Sequence, residues 1–157
     1  MIYFSRLLVK KKERPNMWLQ EEIIIPAKTK GFYLITDDIV SKLLVLKKFS
    51  FGICHLFIKH TSASLSINEN TDPSVRHDFA KFFDVLVPEN QSFFKHKYEG
   101  PDDMPAHIKT SLLSTHITVP IKDGSLMLGR WQGIYLCEHR FNGSERKILA
   151  TIQGETI

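Results

Sequence analysis

The sequence predicts a single-domain α+β protein with mixed, largely antiparallel β-sheet layers and two to three helices. Three observations support this class. The length of 157 residues fits one domain, and the hydrophobic fraction of 43%, with eleven Phe, is enough for one sizeable core. Segments with the three-four apolar spacing of helices alternate with segments rich in β-branched and aromatic residues. The last third of the chain carries turn dipeptides between its strand-like segments.

The first third of the chain predicts two strands and a helix. Trp18–Pro26 and Phe32–Ile35 are β-rich segments joined by a short connection, so we expect them to pair with each other. Thr36 or Asp37 is expected to cap the helix that follows. The apolar residues of this helix keep the three-four spacing, and they are Ile39, Val40, Leu43, Leu44 and Leu46.

The middle of the chain predicts a central strand and a capped helix. Gly52–Lys59 is apolar on both faces except at His55, which is typical of a strand in the centre of a sheet. The extended segment Leu65–Asn68 leads to Asp72 and Pro73, residue types that favour the N-cap and the first turn of a helix. The buried stripe expected on this second helix consists of Val75, Phe79, Phe82, Phe83 and Leu86.

The last third predicts a long loop, a short helix and an antiparallel meander. Pro88–Met104 is polar and long for a compact domain, which is typical of a functional loop. Pro105 is expected to begin the third helix. The meander is predicted from segments and turns at Ile117–Ile121, Asp123-Gly124, Leu126–Leu128, Trp131–Phe141, Asn142-Gly143 and Lys147–Gln153.

The formal charge of +4 is confined to the N-terminal residues. Residues 1–16 carry five basic side chains against Glu13, whereas residues 17–157 carry sixteen basic and sixteen acidic side chains. A protein that binds the phosphate backbone needs a concentrated basic face, so the neutral body argues against a nucleic-acid partner. We interpret residues 1–16 as a basic N-terminal extension and residues 17–157 as the folded domain. A disordered arm and an upstream start codon both remain open as explanations of the extension.

Cysteine usage and hydropathy predict a cytoplasmic protein without a membrane partner. Cys54 and Cys137 each lie in an apolar run and are too far apart for a CxxC pair, so we expect buried free thiols in a reducing compartment. No apolar run approaches the roughly 20 residues that span a bilayer. The N-terminal basic cluster follows the first apolar residues, which is the reverse of a secretory signal.

Two polar clusters follow predicted strands. His60, Thr61 and Ser62 come at the end of the central strand, where side chains can converge without joining the core. The second cluster, Asn68–Asp72, leads into a helix N-terminus, whose free N–H groups and dipole favour anions. Asp72 also has a purely structural interpretation as the helix cap.

A third cluster lies in the long loop. His96 and His107 flank Asp102 and Asp103, and such nitrogen and carboxylate donors suit zinc or another divalent ion with one position open for water or substrate. The spacing matches neither HExxH nor a paired CxxC motif. The residue types therefore indicate a metal site, but the spacing does not specify one.

The fourth cluster combines Arg130-Trp131-Gln132 with Glu138 and Arg140. Strand alternation would place Gln132, Glu138 and Arg140 on one face. An ordinary ion pair between Glu138 and Arg140 is the competing interpretation. Arg146 could bind phosphate through its planar fork, although arginines at hairpin tips are more often solvated.

The remaining histidines and the nucleophile motifs narrow the function classes. We interpret the remaining histidines as structural or surface residues, and they are His55, His77, His116 and His139. The chain contains no GxSxG elbow, Walker loop or GxGxxG motif. Covalent catalysis by a serine or cysteine nucleophile is therefore disfavoured.

Several strings in the chain resemble the YjbQ family, also described as secondary thiamine-phosphate synthase-like. In chain order they are HTSASLSINEN, DPSVRHD, HKYEGPDDMPAHIK, LMLGRWQGIYLCEHR and ATIQGE. The resemblance extends from Met17 to about Glu155 and leaves residues 1–16 outside. It implies a compact α+β fold that assembles as a homotrimer, with a polar pocket near the subunit contacts.

The resemblance also implies a set of site residues. The implied metal positions, for a divalent ion such as Zn²⁺ or Mg²⁺, are His60, His96 and His107. The implied catalytic positions are Glu69, Lys109 and Glu138. The implied ligand-binding positions are Asn68 and Gln132, and the polar clusters described above add Thr61, Ser62 and Arg146 as predicted ligand-binding residues. Many relatives have a shorter path between the two loop histidines, so neither Asp102 nor Asp103 is equated with the family's carboxylate.

The activity that the resemblance implies is weak thiamine-phosphate synthesis, which joins a pyrimidine pyrophosphate to a thiazole phosphate. Such chemistry needs a divalent ion to neutralise the departing pyrophosphate and cationic groups to hold both phosphates. We therefore expect a metal-assisted transferase acting on a phosphorylated small molecule. Two alternatives remain open: a non-enzymatic trimeric module that binds an anionic metabolite, and a metal-dependent hydrolase.

Overall fold

The computed structural model describes residues 15–157, so the prediction for the basic extension lies almost entirely outside the described residues. Eight strands are found in the described range: β1 Asn16–Ile25, β2 Thr29–Leu34, β3 Phe49–Ile58, β4 Ala63–Glu69, β5 His116–Lys122, β6 Ser125–Leu126, β7 Gln132–Asn142 and β8 Arg146–Thr156. Its helices are α1 Thr36–Lys42, α2 Pro73–Leu86 and α3 Asp103–Leu112, with a 3-10 helix at Leu44–Lys48. The first strand begins at Asn16.

The strands form two antiparallel sheets. One has five strands in the order β1-β8-β3-β5-β6, and the other has three in the order β2-β7-β4. Residues of both sheets contribute to one core, among them Ile23, Leu56 and Ile148 from the larger sheet and Leu65 and Leu136 from the smaller one. The predicted α+β class is confirmed, and β3 is in the centre of its sheet as expected.

Two strand pairings predicted from local turns are wrong. β1 pairs with β8 and β2 pairs with β7, so the first two strands do not form a hairpin. The Asn142-Gly143 turn likewise joins β7 of the smaller sheet to β8 of the larger one. A turn signal shows that the chain reverses, but burial of the apolar faces decides which sheet the next strand joins.

The first helix is shorter than predicted. It ends at Lys42 and is followed by the 3-10 helix, which leaves Val40 and Leu44 exposed at 41% and 74%. The predicted cap is also absent, because the Thr36 hydroxyl oxygen accepts a hydrogen bond from the backbone N–H of Ile134 at 2.9 Å. Thr36 therefore connects the helix to β7 instead of capping it.

The other two helices follow the prediction more closely. Asp72 caps α2 by accepting from the Ser74 N–H at 2.8 Å, as expected. Only part of the predicted stripe on α2 is covered: Phe79 stacks on Phe32 with ring centres 5.5 Å apart, whereas Phe82 is 60% exposed. The third helix begins at Asp103, two residues before the predicted start. None of the helices in residues 15–157 is long and apolar enough to cross a bilayer.

Candidate metal centre

Two imidazoles and a carboxylate converge where the long loop enters α3. His96 Nε2 lies 2.7 Å from Asp103 Oδ2, and His107 Nε2 lies 3.5 Å from Asp103 Oδ1. Asp103 and His107 are four residues apart on the helix, so their side chains share one face. One ligand atom from each of the three residues can be chosen so that all lie within 4.8 Å of one another.

His107 is oriented by the backbone that follows β3. Its Nδ1 lies 2.9 Å from the carbonyl oxygen of Thr61. Because a carbonyl oxygen only accepts, Nδ1 carries a proton, and in the neutral ring Nε2 then has its lone pair on the side of Asp103. A lone pair facing a carboxylate oxygen is favourable only with a cation or a proton between them. This arrangement is the one by which proteins orient a metal-binding histidine.

Arg140 of β7 holds the carboxylates of Asp102 and Asp103 in place. Its guanidinium donates to Asp103, to Asp102 at 3.0 Å and to the Glu99 carbonyl at 2.7 Å. Burial alone would raise the pKa of Asp102, but the N–H of Phe141 and the Arg140 guanidinium hold that pKa below its usual range. Asp102 is therefore ionised at neutral pH and serves to hold the loop against β7.

His60 is directed away from this cluster. Its Nε2 accepts from the backbone N–H of Lys147 at 2.9 Å, and its Nδ1 lies 3.2 Å from an Arg146 nitrogen. Burial and the nearby Arg146 charge lower the pKa of His60. Of the three histidines proposed as ligands, the structure thus brings His96 and His107 together, and Asp103 lies beside them.

Arg146 and Glu138 form a buried bidentate pair. Arg146 Nε and Nη2 donate to the two carboxylate oxygens of Glu138 at 2.6 and 2.7 Å, and Nη2 also lies 3.3 Å from the Ser62 hydroxyl. Gly143 is required beside them, because a Cβ at that position would overlap the Glu138 carboxylate. The guanidinium fork is therefore neither solvated nor free to bind a phosphate, and the side-chain pair of Glu138 with Arg140 does not form.

Lys109 is buried and is held in a second network of charged groups. Its ammonium group and that of Lys30 both lie 2.7 Å from Asp84 Oδ1. His139 lies beside this network, 2.8 Å from the Ser64 hydroxyl. Burial, followed by the charge of Lys109, lowers the pKa of His139 to about 3, so this imidazole is neutral at physiological pH. Sequence analysis missed Asp84, because no pattern on α2 distinguishes it from other exposed carboxylates.

The remaining predicted residues lie at the other end of the smaller sheet. Glu69 pairs with Gln132 across β4 and β7, whereas Ala63 pairs with Glu138. Six residues of extended strand separate the two ends, which corresponds to about 20 Å. Asn68 is next to Glu69 on β4 and lies at the same end. The predicted site residues of one chain therefore form two groups, one at each end of the smaller sheet.

A groove of about 330 Å³ opens beside the candidate metal centre. It is lined by Asn90, Phe94, His96, Lys97, Gly100 and Pro101. His96 thus belongs both to the cluster around Asp103 and to the wall of the groove, and its side chain is 52% exposed. A small molecule in this groove would contact the cluster through His96. It would also lie beside the Phe94 ring and the Lys97 ammonium group.

Comparison with other proteins gives a consistent family assignment. The family model described as UPF0047 protein YjbQ-like matches residues 21–155. The UPF0047 protein YjbQ of Escherichia coli O157:H7 is 49% identical over 139 residues, which are 88% of this chain and 100% of the relative. The protein of the same description from Salmonella typhimurium is 51% identical over the same shares.

Solved structures agree with this assignment. A YbjQ-like protein of unknown function from Sulfolobus solfataricus has a TM-score of 0.79 at 26% identity, and the match covers 90% of this chain and 100% of the other. An uncharacterised yjbq/upf0047 protein from Clostridium acetobutylicum has a TM-score of 0.72 at 36% identity, covering 84% and 98%. The resemblance seen in the sequence is confirmed, and the chain belongs to the UPF0047 family of YjbQ-like proteins.

Proposed function

We propose that this chain is a metal-assisted enzyme that acts on a phosphorylated small molecule. The observation that carries the proposal is the convergence of His96, Asp103 and His107, with His107 Nε2 directed at a buried carboxylate. Two imidazoles and one carboxylate leave one position of a tetrahedral ion open for water or substrate. Nitrogen donors favour Zn²⁺ over Mg²⁺, which prefers oxygen ligands.

The proposed reaction joins a pyrimidine pyrophosphate to a thiazole phosphate. The thiazole nitrogen donates its lone pair to the methylene carbon of the pyrimidine, the C–O bond breaks, and pyrophosphate leaves with the bonding electrons. A bound divalent ion would neutralise the charge of the departing pyrophosphate. The groove beside His96 offers room for a substrate, and Lys97 on its wall offers a cation for a phosphate.

The predicted catalytic positions take different roles in this proposal. Lys109 and Glu138 are buried and paired with Asp84 and Arg146, which supports a positioning role. Glu69 lies at the other end of β4, so a direct role for Glu69 would require a second copy of the chain. Thr61 contributes through its carbonyl oxygen, which orients His107.

The test is coupling of the two thiamine precursors by purified full-length protein with Zn²⁺ or Mg²⁺. We expect product formation that falls at least tenfold in His107→Gln, while His77→Gln, which removes an exposed histidine from α2, keeps the activity of the unmodified chain. Both variants should unfold at the same temperature as the parent. Absence of product above background with either ion would reject the synthase proposal.

Metal-dependent hydrolysis is the second candidate. The same cluster adjoins an open groove, so an ion held there could activate a water molecule for attack on a phosphate ester. Release of inorganic phosphate from a panel of phosphate monoesters, lost in His107→Gln, would favour hydrolysis. A rise in melting temperature with an anionic metabolite, without turnover of any substrate, would instead favour the non-enzymatic binding module.

A homotrimer in the cytoplasm is part of the same proposal. Large apolar side chains are exposed on the outer face of the five-stranded sheet, including Trp18 at 66%, Phe51 at 47% and Phe57 at 41%, which supports burial against further copies. The free thiols of Cys54 and Cys137 are buried, and burial raises the pKa of both to about 12, which suits a reducing compartment. A solution mass other than three chains would reject the trimer.

A further inference from the structure

A second pair of imidazoles lies on the five-stranded sheet, to which none of the candidate metal ligands belongs. His55 is in the middle of β3, and His116 is the first residue of the neighbouring strand β5. His55 is paired in register with Thr118, so His116, two residues away, has its side chain on the same face. The two ring centres are 5.4 Å apart, and the ring planes are inclined by 33°.

This separation fits two rings on one ion. The centre of an imidazole lies about 3.2 Å from a zinc ion bound through one of its nitrogens, so two rings on a tetrahedral ion have centres about 5.2 Å apart. His96 and His107, the imidazoles of the first cluster, have ring centres 5.3 Å apart. By this measure, the pair on the outer face has the same spacing as the pair around Asp103.

The orientation of His55 leaves a nitrogen available. Its Nδ1 lies 2.9 Å from the hydroxyl oxygen of Thr118, a partner that can accept the Nδ1 proton. In that tautomer Nε2 carries the lone pair, and the hydroxyl acts as the outer partner that sets the ring orientation. The His116 side chain is exposed and free to turn toward the same ion.

We propose that His55 and His116 form a second site for a divalent cation of the zinc class, on the outer face of the five-stranded sheet. Imidazole donors select Zn²⁺, Ni²⁺ or Cu²⁺ over Mg²⁺ and Ca²⁺. Ile53 and Phe57 flank His55 on the same face of β3. Two protein ligands leave two positions open, and because this face is the one proposed above to pack against further copies, donors from a neighbouring copy could fill them.

The test is the number of Zn²⁺ ions bound per full-length chain, measured by equilibrium dialysis and elemental analysis. We expect two ions in the unmodified chain, one in His116→Gln, one in His55→Gln and two in the control His77→Gln. Retention of two ions in both outer-face variants would overturn the inference. A single ion that is lost in His107→Gln and kept in His116→Gln would overturn it as well.

Absence of binding at the first cluster and absence of binding at the outer site give different zinc counts. If the first cluster binds no ion, the chain holds one Zn²⁺ that disappears in His116→Gln and is unaffected by His107→Gln, and the outer site stands alone. Thr118→Val tests the orientation of His55: we expect 10- to 100-fold weaker binding at the outer site, restored by Thr118→Ser. Unchanged affinity in Thr118→Val would overturn the role assigned to the hydroxyl.

Discussion

Two groups of charged residues include side chains of β7 or contact them, and they differ in how completely their polar atoms are paired and buried. In the locked region, Glu138 and Arg146 satisfy each other with two hydrogen bonds, and their side chains are 0% and 5% exposed. In the open region, a carboxylate of similar burial, Asp103, contacts the half-exposed His96. Full pairing stabilises a fold, whereas chemistry needs a group that is fixed on one side and accessible on the other.

The largest effect is expected from breaking the locked pair. Glu138→Leu leaves the buried Arg146 charge without its carboxylate, which should reduce the free energy of unfolding by about 3–5 kcal/mol. Urea denaturation measures this loss. The double variant Glu138→Leu/Arg146→Met removes both charges and should be much less destabilised. A double variant as unstable as the single one would show that the charge pairing is not the cause.

A smaller effect is expected from acidification, through His139 beside the locked region. The pKa of His139 is lowered from 6.5 to about 3, because burial disfavours the imidazolium. Below pH 6.5 the unfolded chain therefore takes up a proton that the folded chain excludes. Stability that is fully present above pH 6.5 should fall by roughly 2 kcal/mol between pH 6.5 and 5 from this group.

The control for this prediction is His139→Gln, which keeps a hydrogen-bonding partner for Ser64 and removes the titrating group. Its free energy of unfolding should change less with pH between 6.5 and 5 than that of the unmodified chain. Equal slopes for the two proteins in chemical denaturation at several pH values would show that His139 is not the group responsible.

The smallest effect on stability is expected in the open region. His96→Gln and His107→Gln should each change the free energy of unfolding by less than about 1 kcal/mol, since surface substitutions rarely cost more. Zn²⁺ affinity should fall in both, and more in His107→Gln, because the Thr61 carbonyl orients only that ring. Titration calorimetry measures the difference, and a larger loss in His96→Gln would reverse this ranking.

Much of the fold was predictable because its signals are local. Alternating apolar residues, the Asp72 cap and the Asp123-Gly124 turn each depend on neighbours in sequence, and the structure agrees with them. The sheet to which each strand belongs was not predictable in this way. It depends on burial of strand faces that are far apart in the chain, such as those of β8 against β1 and β3.

The candidate site likewise contains residues that the sequence indicated and contacts that it could not indicate. His96 and His107 were singled out from residue type, and the structure brings them together. Asp103 was not assigned because many relatives have a shorter path between the two loop histidines. The structure begins the helix at Asp103, two residues before the predicted start, and this places Asp103 one turn before His107. The contacts of His60 with Arg146 and Lys147 join positions more than 80 residues apart, and no local pattern indicates them.

The most direct test of the account is anomalous diffraction at the zinc edge from crystals of the zinc-loaded protein. We predict a peak between His96 Nε2, Asp103 and His107 Nε2, with imidazole nitrogens about 2.0–2.1 Å from the ion. A peak coordinated by His60, or no peak near Asp103 in crystals grown with Zn²⁺, would contradict the central claim that this cluster is a metal centre.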